Sequence, residues 1–156
     1  MKKTSLRVAL VASSGGHLEE LSKLKEIRSK YDCFLVTEKS DFEINEFCEK
    51  KYLVPKMDRK HILFIPKFIW LFIRTIQILL KEKPEFVITT GALIAYPFCL
   101  VGRLMNIKVV YIESFARINR PSLTGRLVYN ISDLFLVQWE DMLKEYPKSM
   151  LGGDLF

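Results

Sequence analysis

A chain of 156 residues with 49% apolar content is the size of one ordinary domain, with ample mass for a core around one sheet and no room for a second substrate domain. Its 24 lysines and arginines against 18 acidic residues leave +6 at pH 7, which favours a polyanionic neighbour: nucleic acid, an anionic membrane surface or a phosphorylated substrate. Cys33, Cys48 and Cys99 are too few and too far apart for a disulfide framework or a Cys-x-x-Cys metal site, and read as reduced core residues of a cytosolic protein.

The start, Met1-Lys2-Lys3, is basic like a signal peptide, but the apolar run Leu6 to Ala12 is short and opens into a Gly-Gly turn, so it reads as a first strand. Further strands are expected at about 32–37, 51–54, 85–90, 108–113 and 133–138, separated by helix-length segments. That alternation predicts repeated βαβ units: an α/β, Rossmann-like parallel sheet with helices on both faces, in a single domain over 1–156. Leu18, Leu21, Leu24 and Ile27 recur every third residue through Lys30 and predict one amphipathic helix there. Asp41 is a candidate N-cap for another. A helix over about 94–105 tolerates Pro97 in its first turn, and Pro121-Ser122 starts a short helix before the last expected strand.

From His61 to Leu80 the chain is dominated by Ile, Leu, Phe and Trp. Lys60, Lys67, Arg74 and Lys81 recur every seven residues and so project from one side of a helix. A cation at mid-bilayer costs roughly 3 kcal/mol, which disfavours a membrane span. A helix lying in the headgroup layer over about 60–81 is expected instead, with Phe64, Phe68, Trp70, Leu71 and Phe72 in the acyl region and Lys60, Lys67, Arg74 and Lys81 on lipid phosphates. The alternative is a core helix whose cations reach solvent. Nucleic acid is not expected as a partner, because the best-ordered cations sit in an apolar helix and not on a polar face.

The junction after the first strand reads Ser13-Ser14-Gly15-Gly16-His17. A Gly-rich turn leading into a helix gathers free N–H groups and the positive end of the helix dipole, which suits phosphate. Three spaced glycines and a Gly-Lys-Ser/Thr ending are both missing, so neither a dinucleotide nor a nucleoside triphosphate is indicated. His17 lies where open α/β sheets bind ligands and has the chemistry to take a proton from a hydroxyl; a helix-capping role is the plainer alternative. Two other strand ends reach the same edge: Thr90-Gly91, and Glu113-Ser114 followed by Phe115-Ala116-Arg117. Glu113 is a candidate to orient or polarise His17, and Arg117 to neutralise diphosphate.

Ser14-Gly15-Gly16-His17-Leu18, Thr90-Gly91-Ala92-Leu93 through Pro97-Phe98-Cys99, Ile112-Glu113-Ser114-Phe115-Ala116-Arg117, and Asp133 with Val137-Gln138-Trp139 span nearly the whole chain in order. Together they resemble the membrane-associated subunit of the split UDP-N-acetylglucosaminyltransferase of dolichol-linked oligosaccharide synthesis, and more closely its bacterial relatives of the EpsE and PssD type in capsule and exopolysaccharide clusters. The resemblance implies the N-terminal, acceptor-binding half of a GT-B glycosyltransferase. Its implied partners are a separate donor-binding chain and a polyprenyl-diphosphate-linked acceptor, with no cofactor or protein-bound metal, at the cytoplasmic face of the cell membrane.

On that reading His17 is the acceptor base with Glu113 the next candidate. Ser14, Gly15, Gly16, Thr90, Gly91, Ser114 and Arg117 bind acceptor or diphosphate. Trp139, Tyr146 and the apolar ending Leu155-Phe156 are expected to meet the partner chain. Two other readings stay open: a non-catalytic membrane scaffold for a partner transferase, and a free-standing nucleotide-binding enzyme.

Overall fold

The computed structural model describes residues 4–39, 48–58 and 60–152. Seven strands, β1 (Thr4–Val11), β2 (Tyr31–Glu38), β3 (Lys50–Val54), β4 (Phe86–Thr89), β5 (Lys108–Ile112), β6 (Leu134–Val137) and β7 (Met150–Leu151), form one sheet in the order β3-β2-β1-β4-β5-β6-β7. Every neighbouring pair is parallel. Six strands fall where the apolar runs predict them. The two-residue edge strand β7 lacks a run long enough to announce itself. The helix expected after Asp41 and the ending Leu155-Phe156 lie outside the described residues.

The helices are α1 (Gly16–Ser22), α2 (Lys25–Lys30), α3 (Phe64–Glu82), α4 (Ala95–Leu104), α5 (Leu123–Val128) and α6 (Met142–Glu145). The single helix expected from Leu18 to Lys30 is thus two. An apolar residue every third position drifts by roughly 60° per step on a 3.6-residue helix, so an unbroken helix would carry Ile27 away from the sheet that Leu18 faces. The break at Leu24 (φ −74°, ψ 52°) resets the phase, and Leu18, Leu21, Leu24 and Ile27 all join one core cluster. Arg28 Nη2 donates to the Ser22 carbonyl across the break at 2.8 Å.

The strands alternate between two cores. Ala9, Val11, Phe34, Val36 and Val87 pack against α3 and α4, continuing through Val109, Tyr111, Phe135 and Val137 towards Val128 and Met142. Val8, Leu10, Cys33 and Leu35 pack on the opposite face against α1 and α2. Right-handed crossovers account for the asymmetry: stepping from β1 out to β3 puts helices on one face, and stepping from β4 out to β7 puts them on the other.

Helix α3 has two lives. Leu71, Thr75, Ile78, Leu79 and Glu82 form its buried stripe. Leu71, expected at the membrane interface, is 0% exposed, because the stripe that meets the sheet falls at its position. Phe68 and Phe72 are half-buried against the same core. Ile65, Ile69, Ile73, Ile76 and Leu80 form a second apolar row that faces outward, with Trp70 beside it. Lys60 lies in the turn before the helix, and Arg74 and Lys81 are exposed. Among the described residues no helix is long and apolar enough to cross a membrane.

Candidate active site

Strand order reverses between β1 and β4, and that switch point is where an open parallel sheet forms a ligand crevice at its carboxyl edge. The turn after β1 carries His17 and the turn after β4 carries Thr90. They are bonded reciprocally: His17 Nδ1 lies 2.8 Å from the Thr90 carbonyl oxygen, and Thr90 Oγ1 donates to the His17 carbonyl at 2.6 Å. A carbonyl oxygen only accepts, so Nδ1 carries the hydrogen and the neutral ring keeps its lone pair on Nε2. Gly91 makes the close approach possible. Its φ of +108° is left-handed, and a Cβ there would stand 2.9 Å from the Tyr111 hydroxyl and 3.5 Å from His17 Cε1.

His17, whose side chain is 31% exposed, lines a cavity of about 350 Å³. Ser13 joins it from the same turn, Ala92 and Leu93 from the turn after β4, and Met57 from the connection after β3. Arg117 and the start of α5, at Ser122, Leu123 and Thr124, close the other side. The Arg117 guanidinium makes no ion pair with a described residue, so its charge is available to an anion in the cavity. The Gly15-Gly16 turn opens outward instead. Both glycines are exposed, and a Cβ on either would meet nothing within 4 Å. Gly15 holds φ +93°, and its carbonyl accepts from the N–H groups of Leu18 and Glu19.

Several expected site residues build the cavity without lining it. Thr90 is fully buried and serves His17. Ser114 is buried, its hydroxyl bonded to Glu20 Oε1 at 2.8 Å. Glu113 does not meet His17. At 1% exposure its Oε1 accepts from Ser114 N–H, while Oε2 accepts from Ser122 N–H, Ser122 Oγ and Tyr146 Oη at 3.0–3.2 Å. A carboxyl group so fully used anchors the start of α5 and has no capacity left for a base. The reason is its strand position: Glu113 follows Tyr111 on the α5-facing side of the sheet, whereas His17 follows the turn above β1.

Tyr146, expected at a partner interface, is 2% exposed for the same reason. Burial, reinforced by the charge of Glu113, pushes its hydroxyl above the ordinary tyrosine range and keeps it a donor. Trp139 is half-buried; its Nε1 donates to the Phe115 carbonyl at 2.7 Å, propping the loop that carries Arg117.

Two carboxyl groups outside the expected set bear on the histidine, one by proximity and one by charge alone. Glu20 Oε2 stands 3.8 Å from His17 Nδ1. Glu38, at the end of β2, accepts from Met57 N–H at 2.8 Å, and burial holds its carboxyl above the usual range against the opposing pull of that bond, Lys56 and His17. Spacing offered a signal for Glu20 alone, since i and i+3 share a helix face. Among the described residues, no group of three or more His, Cys, Asp or Glu is arranged to hold a metal ion.

A family model described as oligosaccharide biosynthesis protein Alg14 like matches residues 8–155. The chain belongs to that family. The UDP-N-acetylglucosamine transferase subunit ALG14 of Candida albicans is 29% identical over 171 residues, covering 96% of this chain and 78% of that protein. The human subunit of the same name is 27% identical over 183 residues, covering 97% and 83%. These relatives place the Alg14-like chain among glycosyltransferase subunits.

Of solved structures, Acinetobacter baumannii MurG superimposes with a TM-score of 0.74 at 15% identity, over 87% of this chain and 42% of that one. A UDP-N-acetylglucosamine 2-epimerase gives 0.71 at 13% identity, over 93% and 45%. The Alg14-like chain therefore spans less than half of each of these two solved chains, and its fold is the Rossmann-like half of the GT-B architecture.

Gly125 in α5 sits where a Cβ would fall 2.3 Å from Glu113 Oε2 and 2.6 Å from the Tyr146 hydroxyl. Gly125→Ala is expected to cost roughly 2–3 kcal/mol, through overpacking against a buried polar network, and to lower the urea midpoint accordingly. An unchanged midpoint would contradict the placement of Glu113.

Proposed function

We propose that this chain is the acceptor-binding, membrane-associating subunit of a two-chain glycosyltransferase. With a donor-binding partner, it transfers a sugar from a UDP-linked donor to a polyprenyl-diphosphate-linked saccharide. The observation that carries this reading is the cavity at the switch point, where a histidine with its tautomer fixed faces the same space as an arginine that makes no ion pair with a described residue, in a family of UDP-N-acetylglucosamine transferase subunits. The narrower context of capsule or exopolysaccharide assembly rests on the sequence motifs alone.

His17 takes the proton of the acceptor hydroxyl on Nε2 as that oxygen bonds to the anomeric carbon. The anomeric carbon's bond to the nucleotide oxygen breaks, and its electron pair leaves with the diphosphate. Arg117 holds the acceptor diphosphate from within the cavity, and the Gly15-Gly16 turn, with Ser14 beside it, offers its N–H groups to the part that extends beyond the cavity.

Two surfaces support the remaining parts of the reading. Helix α3 starts at the carboxyl edge, where the cavity lies, and its outward row from Ile65 to Leu80 runs beside Lys67, Arg74 and Lys81. Ile62, 92% exposed, and Leu63 extend the row at its start. A peripheral position on the cytoplasmic face of the membrane buries that row in acyl chains and brings the cavity to the lipid-linked acceptor. On the opposite sheet face, Phe86, Val110, Leu134 and Leu136, all half-buried, line an apolar groove of about 370 Å³ together with Leu24 before α2 and Ile27 within it. An amphipathic helix of the donor-binding chain fits this face better than water does.

In the complex co-expressed with its donor-binding chain, assayed with radiolabelled UDP-sugar and a lipid-linked acceptor, His17→Ala is expected to lower transfer by roughly 10²- to 10⁴-fold without loss of assembly. Full transfer by the assembled variant would contradict the base assignment. The chain is also expected to co-sediment with phosphatidylglycerol vesicles at low salt, and Ile69→Glu with Ile73→Glu to release it. Complete solubility of the unsubstituted protein in that experiment would contradict the membrane reading.

A further inference from the structure

Glu20 stands between the two halves of the site. Its Oε1 accepts from Ser114 Oγ at 2.8 Å and from Phe115 N–H at 3.1 Å, which ties the loop leading to Arg117 onto α1. Its Oε2 is buried, has no hydrogen-bond partner among the described residues, and lies 3.8 Å from His17 Nδ1. A buried carboxyl oxygen without a donor is costly unless it does something at another stage of the working cycle. His17 Nδ1 already gives its hydrogen to the Thr90 carbonyl, so Glu20 is not needed to choose the tautomer. What it adds is negative charge beside the ring.

We propose that Glu20 is a positioning residue for the transfer reaction, acting through His17 and through the Arg117 loop at once. The inference rests on the reading of His17 as the acceptor base. When Nε2 takes the acceptor's proton, the ring becomes a cation with both nitrogens donating, and Oε2, 3.8 Å from Nδ1, puts the opposite charge beside it. That interaction exists only once proton transfer has begun, so it lowers the barrier without tightening the ground state. The Oε1 bonds meanwhile hold Ser114 and Phe115, so the same side chain sets the separation between base and arginine. Trp139 braces the loop from its other side through the Phe115 carbonyl. Glu38 is no substitute, since it reaches His17 by charge alone and its Oε1 is committed to Met57 N–H.

The test is a double-mutant cycle in the assembled two-chain enzyme, with steady-state rates on UDP-sugar and a polyprenyl-diphosphate-linked saccharide. Glu20→Gln keeps an acceptor for Ser114 and Phe115 and removes the charge. It is expected to lower kcat by roughly tenfold or more, with acceptor KM changed by less than about twofold. Glu20→Ala loses the loop tether as well, and is expected to raise acceptor KM in addition. In the His17→Ala background Glu20→Gln is expected to change kcat by less than about twofold, because its effect runs through the imidazole.

A wild-type kcat for Glu20→Gln alongside an impaired His17→Ala would overturn the role of Glu20 and leave the base standing. An equal fall in both backgrounds would overturn it too, as the mark of a purely structural side chain. A wild-type kcat for His17→Ala would overturn the base reading and this inference with it. Should Glu20→Gln fail to assemble, Glu20→Asp, which keeps the charge and shortens the reach, carries the cycle: kcat is expected to fall only in the His17 background, and a fall in both would overturn the proposal.

Discussion

Two hydrogen bonds between His17 and Thr90, of 2.8 and 2.6 Å, pin the turn after β1 to the turn after β4 across the point where the sheet reverses its strand order. Much else in the molecule serves that junction. Gly91 accepts a left-handed φ so that the backbone comes close enough, Tyr111 fills the space beneath it, and α1 runs off at an angle that presents Glu20 to the next loop. A ring held on one nitrogen by a main-chain carbonyl has its other nitrogen defined in advance, and pre-organisation of that kind separates a reactive histidine from a capping one.

The surrounding carboxyl groups divide the labour by depth. Glu113 is spent on structure: it receives Ser122 and Tyr146 and sets where α5 begins, and so where Ser122, Leu123 and Thr124 meet the cavity. Glu20 sits shallower, one oxygen tethering a loop and the other beside the imidazole. The proposed acceptor site thus gathers on one sheet edge. The outward apolar row of helix α3 begins at the same edge, and the apolar groove beside β4 to β6 lies on the opposite sheet face.

The sheet was legible in the sequence because each buried parallel strand is a continuous apolar run, and parallel strands buried on both faces admit little else. The Gly-Gly-His turn was legible because a strand and a helix flank it. Other features depended on tertiary partners that a linear reading does not contain. The three-residue spacing of Leu18, Leu21, Leu24 and Ile27 encodes a broken helix only once the sheet face is known. Leu71 and Ile69 are both apolar, and the sheet alone decides which turns inward. Glu113 reads as reactive because it sits at a strand end beside Ser114; strand pleat directs it under α5. Glu20 was missed because its role depends on a loop some 95 residues further along the chain.

On the proposed mechanism, His17 offers Nε2 to the acceptor because Thr90 holds Nδ1. Long-range nitrogen–proton NMR correlation on the histidine-labelled protein, at a pH where the rings are neutral, reads this directly. The chain has two histidines, and the second is an internal control, since His61 Nδ1 accepts from Leu63 N–H at 3.1 Å and must carry its hydrogen on Nε2. Opposite tautomers are expected, with His17 as Nδ1–H and a bare Nε2. A His17 signal in the Nε2–H form, or averaged as in a free imidazole, would contradict that mechanism.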